Sequence, residues 1–229
     1  MLRIAIYNCF QLLRRGQWRR LAYVIGVKWH GLDFTKVEVD ALGLNAERSR
    51  AHEESGPAID RVLRTLPISE SDAALDIGCG KGSAILAMAR YPFARVDGVD
   101  VSEELIKIAR ENLRRVRVRN STLFHSDAAA FDGYDHYTFY YLYNPFPPAV
   151  MTETMGCISE SLKRRPRKAI LVYTNPKDCG PIERAGFRRV AEFAGKEGEF
   201  PPVSVYRAGP EKNVKPQGGQ EAAPGAARL

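Results

Sequence analysis

A short apolar segment of the chain ends at Asp76 and runs directly into a turn with a glycine at every second position. The sequence is Ala74-Leu-Asp-Ile-Gly-Cys-Gly-Lys-Gly-Ser83, and its glycines are Gly78, Gly80 and Gly82. Glycine adopts positive φ without strain and lets the main chain approach a ligand closely. A turn that joins a strand to a helix lies beyond the carboxyl end of the strand, where open α/β sheets bind ligands. The turn therefore predicts an α/β fold with a ligand site at this edge.

Strand-like and helix-like segments alternate after this turn. The pattern predicts strands at 73–77, 95–100, 122–125, 137–143 and 169–174, helices at 59–66, 83–90, 103–115, after Pro148 and at 182–185, and a closing antiparallel pair at 187–193 and 203–206. Ser102 is the predicted N-cap of the helix that begins at Glu103. Such alternation indicates a doubly wound, mostly parallel sheet with helices on both faces.

The length of 229 residues allows one domain with an accessory segment. We divide the chain into a basic and aromatic accessory segment (1–54), a main domain (55–208) and a tail (209–229) whose Pro, Gly, Gln and Ala content predicts disorder. No apolar run is long enough for a transmembrane helix. The four cysteines lack metal-ligand spacing, so we expect no metal site. Scattered free cysteines favour a cytoplasmic location.

The formal net charge of +7 is concentrated at the N-terminus. Residues 1–30 carry six Lys and Arg and no acid, so the rest of the chain is close to neutral. A basic segment of this kind is compatible with peripheral contact with an anionic membrane or with a solvated helix edge, and we favour the solvated edge. Two more basic clusters, 114–119 and 163–168, fall at helix ends opposite the glycine turn. A nucleic-acid partner therefore stays open but is not favoured.

Three kinds of ligand could occupy a glycine turn of this type. A phosphate loop needs Ser or Thr after its lysine, but Gly82 follows Lys81. An NAD site needs a third glycine where Ser83 stands, and the charge of Asp76 would oppose a pyrophosphate. A cationic nucleoside such as S-adenosylmethionine reverses that charge argument, because its ammonium group can pair with Asp76. The sequence therefore favours the cation.

Two further carboxylates follow the next two strands. Asp100 ends the second strand, where it can bind ribose hydroxyls, and Asp127 follows the third, where it can meet an adenine amino group. The carboxyl ends of successive parallel strands converge at one sheet edge. We therefore expect Asp76, Asp100 and Asp127 to surround one nucleoside.

With these three motifs in order, residues 55–207 resemble a class I S-adenosylmethionine-dependent methyltransferase of Rossmann-like fold. The run from Asp76 to Gly82 is similar to that family's first motif, Asp100 matches its ribose-binding acid, and Asp127-Ala128 matches its adenine-side motif. The resemblance implies S-adenosylmethionine as cofactor and a seven-stranded sheet with an antiparallel last strand. It implies cofactor contacts from Asp76, Gly78, Cys79, Gly80, Gly82, Asp100, Val101, Asp127, Ala128 and Asn144.

The segment after the fourth strand reads Tyr143-Asn-Pro-Phe-Pro-Pro148. It resembles the family's fourth motif, which in amino-group methyltransferases places an Asn oxygen and a backbone carbonyl against the target nitrogen. This chain has one proline fewer than that motif. The resemblance implies Asn144, Pro145, Phe146 and Tyr143 as catalytic residues, and we keep His52 and Glu53 as further candidates.

The expected reaction is an in-line SN2 methyl transfer, which depends on alignment and on removal of a proton from the acceptor. The acceptor is unidentified: a protein side chain, an RNA base, a lipid head group or a small molecule, with nitrogen favoured over oxygen. A non-catalytic S-adenosylmethionine-binding or scaffold protein is the alternative.

Overall fold

The computed structural model describes residues 18–45, 49–50, 59–196 and 200–210. Its helices are α1 (Trp18–Trp29), α2 (Asp60–Leu63), α3 (Ser83–Met88), α4 (Glu103–Arg115), α5 (Pro148–Arg164) and α6 (Gly180–Arg184). Its strands are β1 (Ala73–Ile77), β2 (Arg95–Asp100), β3 (Leu123–His125), β4 (Phe139–Tyr143), β5 (Ala169–Thr174), β6 (Arg188–Phe193) and β7 (Val203–Ala208).

The seven strands form one sheet in the order β3-β2-β1-β4-β5-β7-β6. Strands β1 to β5 are parallel to one another, and β7 runs antiparallel to both β5 and β6. The order reverses at β1, which pairs with β2 on one side and β4 on the other. The predicted doubly wound sheet with an antiparallel last strand is confirmed.

Two apolar cores cover the two faces of the sheet, because successive side chains of a strand point to opposite sides. On β4, Tyr140 lies in the core that contains Met155 of α5. Its neighbour Phe139 lies in the other core, with Ile85 of α3. All four side chains are almost fully buried. Helices therefore pack on both faces and leave the carboxyl ends of the strands open for a site.

Local signals determine most element boundaries. The Ser102 hydroxyl accepts a hydrogen bond from the Leu105 amide at 3.3 Å, so the predicted N-cap of α4 is confirmed. Helix α3 ends at Met88 rather than at Arg90, because the Arg90 amide bonds to the carbonyl three residues back and tightens the last turn. Strand β4 begins at Phe139, two residues later than predicted, because residues 133–136 form a 3₁₀ turn.

The accessory segment is described only in part. Helix α1 leaves Ile25 and Trp29 exposed, with 84% of Trp29 accessible. Within the described residues, every helix is too short or too polar to cross a bilayer. The first 17 residues hold three of the six N-terminal bases and lie outside the described part, as do residues 211–229 of the predicted tail (209–229). The division at residues 54 and 208 stays a prediction.

Candidate active site

The glycine turn between β1 and α3 adopts backbone conformations that favour glycine. Gly78, Gly80 and Gly82 have φ of 76°, 51° and 82°. The amides of Gly78 and Cys79 both donate to the Val99 carbonyl, at 2.9 and 3.0 Å, so the turn folds over the end of β2. This geometry exposes the first half of the turn to the space beyond the sheet.

Gly98 of β2 also shapes the glycine turn, a role that the sequence pattern did not predict. A Cβ at this position would lie 2.6 Å from Ile85 Cδ1 and 2.8 Å from the sulfur of Cys79. Only a glycine lets the turn and α3 come so close to the sheet. A glycine in the interior of a predicted strand is the signal that could have revealed it.

Asp100 at the end of β2 fixes the turn. Its Oδ2 accepts a hydrogen bond from the Gly80 amide at 2.8 Å, and its Oδ1 accepts one from the Ser102 amide at 2.8 Å. Burial raises the pKa of Asp100, while the hydrogen bonds from Ser102 and Gly80 act in the opposite direction. Each carboxylate oxygen keeps a second lone pair, so Asp100 can accept further hydrogen bonds from a ligand.

Asp76 at the end of β1 is a buried acid, only 2% exposed. No residue in the described ranges donates a hydrogen bond to its carboxylate. Burial, and then repulsion from Asp100, raise the pKa of Asp76 well above its usual value. A cation placed beside Asp76 would relieve both effects. A buried carboxylate that receives no hydrogen bond from a described residue therefore fits a positively charged ligand.

A cavity of about 200 Å³ opens between the turn, the strand ends and the N-terminal segment. Of the predicted cofactor contacts, those that line it are Asp76, Gly78, Cys79, Gly80, Asp100, Val101, Asp127 and Ala128. Gly82 and Asn144 are not among the lining residues. Gly82 faces α4 instead, since a Cβ there would lie 3.4 Å from that of Ala109.

The loop after β4 carries the predicted catalytic residues. Tyr143, Pro145 and Phe146 line the cavity. Asn144 has a positive φ of 41°, and its Oδ1 accepts a hydrogen bond from the Tyr173 hydroxyl of β5 at 3.4 Å. The Asn144 amide is thus directed to the neighbouring strand, a contact that depends on tertiary packing and has no sequence signature.

Part of the cavity wall comes from residues that our sequence analysis did not single out. Leu42, Leu44, Asn45, Ser49 and Arg50 all line it. The Arg50 Nε donates to the carbonyl of Phe146 at 3.0 Å. The candidates His52 and Glu53 lie outside the described residues.

Comparisons with known sequences show which proteins this chain is similar to. Residues 74–165 match the family model described as a methyltransferase domain. The release factor glutamine methyltransferase of Caulobacter vibrioides is 29% identical over 191 residues, 82% of this chain and 60% of that protein. A trans-aconitate 2-methyltransferase of Rhodopseudomonas palustris is 42% identical over 62 residues, 27% of this chain and 24% of that protein. The chain spans 60% or less of the length of these relatives.

Solved structures share the fold. A SAM-dependent methyltransferase from Aquifex aeolicus matches with a TM-score of 0.50 and 18% identity, covering 67% of this chain and 94% of that one. An RNA methyltransferase from Salinibacter ruber, in complex with S-adenosyl-L-homocysteine, matches with a TM-score of 0.50 and 24% identity, covering 69% and 93%.

Proposed function

We propose that this protein transfers a methyl group from S-adenosylmethionine to an acceptor, because residues 74–165 match a methyltransferase domain model and the fold is that of solved SAM-dependent methyltransferases. The observation that carries the proposal is the state of Asp76. It is a buried carboxylate without a hydrogen-bond donor from the described residues, and it lies beside a backbone turn that leaves room for a nucleoside.

Each acid of the cavity has a proposed task. Asp76 would pair with the ammonium group of the cofactor, Asp100 would accept from the ribose hydroxyls, and Asp127 would accept from the adenine amino group. The Asp127 Oδ1 already accepts a hydrogen bond from the Ala129 amide at 2.9 Å, which fixes the carboxylate at the cavity wall. When bound, S-adenosylmethionine supplies an electrophilic methyl group on a positively charged sulfur.

The protein's own contribution to the transfer is alignment. The sulfur leaves as a neutral thioether, so the chain has only to position the acceptor, and the proton that the methylated nitrogen loses passes to water. We propose that the acceptor atom is nitrogen and that its N–H replaces Tyr173 at Asn144 Oδ1. The present contact of 3.4 Å is long for a hydroxyl donor, so exchanging it costs little. The relatives are named for a release factor glutamine and for trans-aconitate, and these names do not select between nitrogen and oxygen.

A methyl-labelled cofactor tests this function. Fractions of cell extract that contain protein, RNA, lipid or small molecules are incubated with the purified chain, and label is expected in one class. Asn144→Ala is expected to lower this transfer by about 100-fold, because a positioned acceptor of a hydrogen bond is lost, and to leave S-adenosylhomocysteine affinity unchanged.

Asn175→Ala is the matched control, because Asn175 follows β5 with a similar positive φ of 52°. It should keep full transfer. Binding of S-adenosylhomocysteine without label in any fraction would instead support the non-catalytic alternative.

A peripheral membrane contact is a second proposal, for residues 1–30. It is favoured by Ile25 and Trp29, which are 52% and 84% exposed one helical turn apart, and by six bases without an acid. We expect the full chain to sediment with phosphatidylglycerol vesicles but not with phosphatidylcholine vesicles. The double variant Ile25→Ala/Trp29→Ala should remain in solution, and the control Val190→Ala, at another exposed apolar side chain, should sediment. Equal sedimentation of the double variant would contradict this role.

A further inference from the structure

Lys81 lies within the glycine turn but does not line the cavity. Its side chain is only 2% exposed. The ammonium donates to both carboxylate oxygens of Asp33 at 2.9 Å and to the Thr35 hydroxyl at 3.0 Å. Each of its three N–H bonds therefore has an acceptor. Both partners belong to the N-terminal segment, so this lysine connects the turn to a distant part of the chain.

Asn112 of α4 binds the main chain of both Asp33 and Lys81, so it also attaches the N-terminal segment to the glycine turn. Its Nδ2 donates to the carbonyls of Asp33 and Lys81, at 2.8 and 3.0 Å, and its Oδ1 accepts from the Asp33 amide at 3.0 Å. Asn112 is 2% exposed, so these bonds are shielded from water. Asp33 is thus held by its side chain and by both of its backbone polar groups.

We call residues 33–45 and 49–50 the strap; residues 46–48 lie outside the described part of the chain and are not included. The strap starts at Asp33 on the glycine turn, and Leu42 and Leu44 then line the cavity. It reaches Arg50, which bonds to the carbonyl of Phe146 in the loop after β4. The strap is therefore attached on both sides of the cavity, to the proposed cofactor turn and to the proposed acceptor loop.

The charge of Asp33 adds an ion pair to the attachment that Asn112 also holds through the main chain. A buried ammonium needs a paired anion, because an unpaired charge away from water is strongly unfavourable. If the carboxylate were neutral, Lys81 could regain solvation only by lifting the strap. We propose that Lys81 is a positioning residue and that its ion pair with Asp33 keeps the strap closed over the cavity. Resting on the proposed function, we infer that this pair slows the departure of the bound nucleoside.

Asp33→Asn tests the proposal with two measurements. Stopped-flow release of S-adenosylhomocysteine is expected to become about tenfold faster, a typical size for coupling between two sites. Hydrogen exchange of the strap amides should also become faster in the absence of a nucleoside. A variant that lost only contacts with the nucleoside would not show this faster exchange. Asp33→Glu keeps the charge and should restore slow exchange.

Glu38→Gln is the matched control, because it breaks an ion pair in the same strap. Glu38 pairs with Lys36 at 2.9 Å, but the two side chains are 67% and 54% exposed, so release and exchange should stay as in the wild type. If Asp33→Asn does not fold, Lys81→Met fills the buried site with an apolar chain and should give the same faster exchange.

The two proposals fail in different ways. Absence of S-adenosylhomocysteine binding by the wild type overturns the proposed function, and the exchange data still report on the strap. Wild-type release and wild-type exchange in a folded Asp33→Asn or Lys81→Met variant overturn the role of the ion pair.

Discussion

Replacing Asp76 by asparagine is expected to weaken S-adenosylhomocysteine binding by about 100-fold and, in the same protein, to raise the stability of the free chain. The first effect arises because the amide keeps the shape of the carboxyl but cannot pair with an ammonium group. The second arises because Asp76 is a buried acid that no described residue stabilises by a hydrogen bond. Calorimetric titration and urea unfolding measure the two effects separately.

The gain in stability should depend on pH. Burial, followed by the charge of Asp100, raises the pKa of Asp76, so the folded state holds this proton more tightly than the unfolded state does. Wild-type stability should therefore fall as the pH rises from the ordinary carboxyl pKa through the raised value. Asparagine does not titrate, so its advantage over the wild type should grow across that range.

Asp97→Asn is the control for this prediction. Asp97 is also buried, at 1% exposure, but it accepts from the Thr122 amide and the Tyr137 hydroxyl, both at 2.7 Å, and pairs with Arg95 at 3.2 Å. Its replacement should destabilise the fold, because the donors lose a charged acceptor. If Asp76→Asn destabilised the protein as Asp97→Asn does, Asp76 would be a structural acid and the proposed ammonium site would be lost.

Gly78→Ala is expected to lower the free energy of unfolding by about 3 kcal/mol and to abolish transfer, because two penalties add. The position has a φ of +76°, and the new Cβ would lie 2.5 Å from the Cβ of Pro145. Both the cofactor turn and the loop after β4 would have to move apart. Urea unfolding and the labelled-methyl assay measure the two losses.

Gly43→Ala separates the two penalties. Gly43 has a φ of +63° but open space around the position of a Cβ, so this variant carries only the backbone cost, about 1 kcal/mol. Equal losses at Gly78 and Gly43 would show that the contact with Pro145 is unimportant.

Much of the sheet could be predicted from the sequence because its signals are local. The bounds of β1, β2 and β5 agree with the predicted strands, since each is a short segment that ends at a polar or glycine-rich turn. Asp76 and Asp100 could be placed at one edge because parallel strands align their carboxyl ends. These inferences need only periodicity and strand direction.

The cavity wall could not be predicted in this way. The bond between Lys81 and Asp33 joins residues 48 positions apart, and neither lies in a periodic pattern that indicates the other. The direction of Asn144 depends on Tyr173, 29 positions away on a neighbouring strand. Such contacts depend on how the folded helices and strands pack against one another. The sequence pattern therefore pointed to Asn144 but not to its partner Tyr173. It gave no signal for the bond between Lys81 and Asp33.

The strap precedes every strand of the sheet along the chain, yet it supplies one side of the cavity. Mutations in the strap can change the shape of that side without replacing core residues. Replacements in the core, by contrast, almost always lower stability. Selection could therefore alter which acceptor molecules enter the cavity while the residues proposed to contact the nucleoside stay constant. Among descendants of one ancestral gene, we expect divergence to be greatest around Leu42 and Leu44 and least around Asp33 and Lys81, where the attachment must survive.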